Sequence, residues 1–181
     1  FLGGSITVAD GDANKQNLNR YATRVTEWFQ EQYPEKTVTQ VNAGIGGTGS
    51  RLGKYRVMTD IGAYAPDVVF VEYAVNGGTE QNMEGIIRKI WAQDNSTDII
   101  LVHTATAANI PNYSNGRVPA YERGYENVAE HYGVPSVSFA YQIAEYYDAG
   151  QITLKGNAEA GKIHFSSDGT HPTMDGSILY A

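Results

Sequence analysis

The chain contains no cysteine. That excludes disulfide frameworks, thiolate nucleophiles and sulfur-ligated zinc. Positive charge is also scarce. Thirteen Lys and Arg stand against twenty Asp and Glu, for a formal net charge of -7. A nucleic-acid binder needs a basic face to neutralise phosphate, and adhesion to anionic lipid needs the same. Both kinds of partner are therefore disfavoured, whereas a neutral ester or sugar is compatible. No apolar run approaches the ~18 residues of a membrane span, and no secretory signal is visible. Histidine is rare, with four in 181 residues, so the position of each carries information.

What is present is enough apolar material, 41% of residues, for one packed domain. The chain opens in mid-pattern at Phe1-Leu2 and stops at "GSILYA", which reads as the start of a helix. The expectation is a single domain over 1–181, trimmed at both ends.

Short apolar runs alternate with amphipathic ones. Strands are predicted at 37–43 ("TVTQVNA"), 67–73 ("DVVFVEY"), 98–104 ("DIILVHT") and, more weakly, 134–140 ("VPSVSFA"). A first strand would end at Phe1-Leu2-Gly3. Helices are predicted at 17–33, with Trp28 and Phe29 on the apolar face and Pro34 after it, and at 79–93, with Thr79 as N-cap. Two more are predicted at 120–132, with Gly133 after its end, and at 141–150. This alternation predicts a three-layer α/β/α sandwich, flavodoxin-like, with about five parallel strands. Ligands of such folds bind outside the carboxyl ends of the strands. Those ends carry "GGSIT", "NAGIGGTGS", "YAVNGG" and "HTATA".

Ser5 follows Gly3-Gly4 at the first strand end. A serine hydroxyl is a poor nucleophile unless a base removes its proton and donors hold the resulting oxyanion. Near the other end, "SSDGTHP" places Asp168 three residues before His171. Imidazole is suited to general-base work near neutral pH, and a carboxylate can orient it by accepting the Nδ1 proton. The G-x-S-x-G elbow of α/β-hydrolases is missing.

In four blocks spread over most of the chain, the sequence resembles the SGNH (GDSL-type) hydrolase superfamily, in particular its carbohydrate-esterase-like members. Gly3-Gly4-Ser5 is similar to the family's Gly-Asp-Ser, with Gly4 in place of Asp. Gly47 in "NAGIGGTGS" is similar to the second block's glycine. "AVNG" is similar to Gly-x-Asn-Asp, with Ala74 for the first glycine, Asn76 in the Asn place and Gly77 for the final Asp. Asp168-Gly169-Thr170-His171 is similar to Asp-x-x-His. The resemblance implies Ser5 as nucleophile, His171 as base and Asp168 as its orienting acid. It implies an oxyanion hole from the N–H groups of Ser5 and Gly47 and the amide of Asn76. It further implies a serine esterase that removes an O-acyl group, foremost acetyl, from a carbohydrate, with no cofactor or metal. A lysophospholipase or thioesterase, or a catalytically impaired carbohydrate-binding relative, is the alternative. The loss of the Asp at Gly77 is expected to loosen the loop carrying Asn76.

Other residues admit blander readings. "GIGGTGS" lacks the Lys-Ser/Thr of a phosphate-binding loop. A metal held by His164, Asp168 and His171 competes with the use of the last two in catalysis. Tyr113, in the loop 108–119 expected to overhang the site, is a candidate substrate contact, as are Arg51 and His103. For His103 a packed position near the core is the stronger expectation; for Arg51 and Arg56 it is a solvated face. Asn95 and Asn112 head Asn-x-Ser/Thr sequons.

Overall fold

The computed structural model describes residues 1–8 and 21–180. Its main sheet has five parallel strands: β1 (Leu2–Gly3), β2 (Ala43–Gly44), β3 (Val68–Glu72), β4 (Asp98–His103) and β5 (Ser136–Ser138). They lie in the order β2-β1-β3-β4-β5. The order reverses beside β1, which is the topological switch point of a doubly wound sheet. Leu2 sits opposite Ala43 on one side and Val71 on the other. The first strand is thus central although it is short.

Side chains of a strand alternate between faces, and here each face has its own core. Val69, Val71, Ile99 and Leu101 meet α3 (Ser50–Asp60), α4 (Glu80–Gln93) and α6 (Ala120–Tyr132) through Val57, Met83, Ile86, Ile87, Ile90 and Tyr125. Phe70 and Val102 point to the other face, among Tyr21, Ile110, Tyr113, Ile143, Phe165 and Tyr180. That layer contains α2 (Tyr21–Gln32), α5 (Ile110–Ser114), α7 (Phe139–Asp148) and α8 (Met174–Ile178). A short helix, α1 (Ser5–Val8), leaves β1, and a separate parallel pair joins β6 (Ile152–Thr153) to β7 (Ile163–His164). No helix among the described residues is long and apolar enough to cross a membrane.

The predicted three-layer sandwich is the observed one, with differences in detail. The strand expected over 37–43 contracts to β2, because β1 beside it offers only Leu2 and Gly3 for pairing. The helix expected over 17–33 runs over Tyr21–Gln32 in the described part; residues 17–20 of that expectation lie outside it. Trp28 is on the solvent side of α2, packed edge-on to Phe29. Thr79 holds the N-cap position of α4 in extended backbone but makes no side-chain cap bond. Helix α6 matches its predicted bounds, and Gly133 closes it with φ of 66°, a left-handed value that glycine adopts without a Cβ penalty. Helix α3 was not predicted. Its apolar residues lack a clear 3.6-residue period, and Leu52 and Tyr55 stand exposed while Arg56 is buried.

Candidate active site

Four loops meet at the carboxyl ends of β1 to β4. The first, Gly4-Ser5, leads from β1 into α1, and Ser5 is only 5% exposed. The second, residues 45–49, follows β2. The third, residues 73–78, follows β3. The side-chain amide of Asn76 in the third loop donates to the carbonyl of Thr48 in the second at 3.0 Å. The N–H of Ser50 donates to the carbonyl of Gly77 at 3.2 Å.

Gly4 lies under both loops. A Cβ on it would stand 2.6 Å from Asn76 Nδ2 and 3.0 Å from the Thr48 carbonyl oxygen. The absence of an aspartate at this position therefore has a local reason: this packing leaves no room for a side chain. Gly47 has φ of 71° and an exposed backbone turn, a conformation a β-carbon would strain. Gly77 has φ of 66°, and its N–H is held by the Tyr73 carbonyl at 2.9 Å. Both backbone groups of Gly77 are thus bonded, its N–H to Tyr73 and its carbonyl to the N–H of Ser50.

The fourth contribution comes from the loop after β7. His171 Nδ1 and Asp168 Oδ2 are 2.7 Å apart. Asp168 Oδ1 accepts from the N–H groups of Thr170, at 2.7 Å, and His171, at 2.8 Å, and from the Ser166 hydroxyl at 3.1 Å. Partial burial acts to raise the Asp168 carboxyl. The bonds from the His171 ring, the two N–H groups and Ser166 outweigh it and hold the group well below the usual carboxylate range. This acid therefore stays ionised, and it accepts Nδ1–H, leaving Nε2 of His171 as the ring's free basic position. The loop is anchored at the sheet, where the N–H of Ala107, beyond β4, donates to the Gly169 carbonyl at 2.7 Å.

Ser5 follows β1, and the loop that carries His171 is tied to Ala107 beyond β4, with β3 between the two strands. Among the described residues no hydrogen bond joins Ser5 to His171. Such bonds are often long before substrate binds.

Beneath the rim lies a carboxylate that sequence reasoning passed over. Glu72, the last residue of β3, is 1% exposed. Its Oε1 accepts from the Thr104 hydroxyl at 2.9 Å and the Ala74 N–H at 3.1 Å, and its Oε2 from the Thr7 hydroxyl at 3.1 Å. Burial pushes its carboxyl up, against the pull of these bonds. The one available signal was an acid inside the apolar run "DVVFVEY", since charged residues are almost never fully buried unless partnered.

The remaining candidates separate. Arg51 is exposed on α3. Tyr113 and His103 are corrected from substrate contacts to interior residues, at 3% and 1% exposure. The loop holding Tyr113 folds as α5 and packs on α7 instead of overhanging the rim, and the Tyr113 hydroxyl donates to buried Glu122. Burial and the adjoining carboxylate push that phenol far up. His103 Nε2 pairs with Glu126 at 2.6 Å, consistent with its packed expectation. His164 turns away to the Gly156 carbonyl at 2.8 Å. Arg56 is buried, not solvated. A groove of about 740 Å³ opens at the opposite ends of the strands, lined by Phe1, Phe29, Val41, Val68 and Phe70, and has no part in this rim.

Comparison with solved structures agrees with this architecture. A two-domain esterase active on acetylated mannans is 31% identical over 100% of this chain, with a TM-score of 0.79, and the chain spans 45% of that protein. The same esterase co-crystallised with mannopentaose gives 32% identity and a TM-score of 0.80 over 99% of this chain and 45% of that one. A catalytic mutant of an acetylxylan esterase from Geobacillus stearothermophilus shares the fold, at 20% identity and a TM-score of 0.70 over 99% of this chain and 88% of that one. Among curated proteins none matches significantly. The profile of the GDSL-like lipase/acylhydrolase family matches residues 1–176, and the chain belongs to that family.

Proposed function

We propose that this domain is a serine esterase that hydrolyses O-acyl esters of a carbohydrate, acetyl esters foremost, through an acyl-enzyme. The observation that carries the reading is the Asp168–His171 pair, held at 2.7 Å. Ser5 Oγ attacks the ester carbonyl while Nε2 of His171 takes its proton. The oxyanion is held by the N–H groups of Ser5 and Gly47 and by the amide of Asn76, which has a second N–H beyond the one given to Thr48. Collapse expels the alcohol, which receives the proton from His171. A water, deprotonated by His171, then attacks the acyl-Ser5 ester and releases the carboxylic acid and free Ser5. Asp168 stabilises the imidazolium in both half-reactions. No step calls for a metal or cofactor.

Acetylated polysaccharide as substrate is supported by the mannan esterase resemblance at 31% identity and by the polar make-up of the four rim loops. The test is a p-nitrophenyl ester series together with acetylated mannan, run on the parent and on Ser5→Ala. Ser5→Ala is expected to lose at least about 10⁴-fold in kcat. Activity in the parent is expected to fall as the acyl chain lengthens. Rates rising with chain length would replace the sugar reading with a lipid one. Turnover surviving in Ser5→Ala would remove the serine mechanism.

A further inference from the structure

The turn that carries Ser5 is held on both sides by buried charged residues. Just before Ser5, Arg56 Nη2 donates to the Gly3 carbonyl oxygen at 2.8 Å. Just after it, the Thr7 hydroxyl donates to the Glu72 carboxylate at 3.1 Å.

Both charges are themselves held. Arg56 Nη1 donates to the Ala43 carbonyl at 2.6 Å and pairs with Asp60, and its Nη2 also donates to the Tyr73 hydroxyl at 3.1 Å. Arg56 is 9% exposed and Glu72 1%. Glu72 in turn gathers Thr7 of α1, Ala74 of the Asn76 loop and Thr104 beyond β4. A buried carboxylate with three donors from three segments fixes the relative positions of those segments more firmly than any one of them could. The turn has little freedom of its own to give up. A Cβ on Gly3 would stand 1.9 Å from Thr7 Oγ1, so the turn is packed as well as bonded.

We propose that Arg56 and Glu72 are positioning residues for the ester hydrolysis assigned above: by clamping the Gly3 carbonyl just before Ser5 and the Thr7 hydroxyl just after it, they set the direction in which the Ser5 hydroxyl and N–H are presented. The proposal rests on Ser5 being the nucleophile.

The experiment uses four variants of the chain with p-nitrophenyl acetate, together with the rate of Ser5 labelling by a p-nitrophenyl phosphonate and the Tm of each. Glu72→Gln keeps the shape but turns an N–H₂ toward donors. It is expected to lower kcat and the labelling rate about 10- to 100-fold, with KM within about twofold, the signature of a misplaced reacting group. Arg56→Lys, a single-point donor in place of a planar fork, is expected to behave alike. The double variant should fall less than the product of the singles, because both act on the one turn that carries Ser5. Thr104→Val, which removes one donor to Glu72 and leaves both charges, serves if either variant fails to fold; it should lower kcat about 3- to 10-fold. Normal kcat and labelling rate per folded molecule in these variants would overturn the clamp. Ser5→Ala is assayed in parallel: if it retains activity, the serine reading fails, whereas an inactive Ser5→Ala beside an unaffected Glu72→Gln removes the clamp alone.

Discussion

The amide nitrogen of Asn76 lies 3.0 Å from the carbonyl oxygen of Thr48, and this one bond joins the loop after β3 to the loop after β2 across the turn that carries Ser5. The same amide is the proposed oxyanion donor, so it is oriented before any substrate arrives. Asn76→Ala is expected to lower kcat about 10²- to 10³-fold, the usual cost of one oxyanion donor. Steady-state kinetics with p-nitrophenyl acetate check it, and a change confined to KM would contradict the role.

Gly4→Ala tests the packing under that amide. The added carbon would stand 2.6 Å from Asn76 Nδ2 and 3.0 Å from the Thr48 oxygen. The amide must shift, and about 10- to 100-fold of kcat should go with it. Unchanged kinetics in a folded Gly4→Ala protein would show that the two loops have more play than their contacts suggest.

Tyr113→Phe separates a structural from a substrate role. The hydroxyl donates to Glu122, which is 1% exposed, and removing it leaves that carboxyl short of a partner. Urea unfolding should report a loss of about 1–3 kcal/mol, with kcat and KM per folded molecule unchanged. A raised KM on acetylated mannan would return Tyr113 to the substrate surface.

Asp168→Asn should show a pH-dependent stability difference. The folded carboxyl of Asp168 is held well below its ordinary value, despite the opposing effect of burial, by His171, two backbone N–H groups and Ser166. Its ionised form therefore favours the native state. That contribution is complete above the unfolded pKa of about 3.9 and is lost as pH falls through the lower folded value. The Tm of Asp168→Asn should lie below that of the parent at neutral pH, and the gap should narrow between about pH 5 and pH 2. A gap independent of pH would show that the carboxylate charge does not stabilise the loop.

The period of the apolar residues disclosed most of the sheet and four of the long helices, α2, α4, α6 and α7. Helix α3 escaped because its buried residues include Ser50, Gly53 and Arg56, which no hydrophobic pattern marks. Tyr113 and His103 misled for a related reason. A tyrosine in a Pro- and Asn-rich loop reads as exposed, but here the loop coils into α5 and its phenol finds a carboxylate nine residues on.

Ser5, Asp168 and His171 were legible because their chemistry is local, a serine after two glycines and an acid three residues from a histidine, whereas Gly47 and Asn76 were picked out by the family resemblance. Sequence alone thus determined the layer order of the fold, the residue types at the rim and the pairing of Asp168 with His171, because each depends on spacing along the chain. Only the tertiary structure decided that Arg56 and Glu72 hold the turn that carries Ser5, 53 residues beyond Gly3 and 65 residues beyond Thr7. A buried charge is tolerated only where distant segments supply its partners, and which segments do so is settled by the folding of the whole chain.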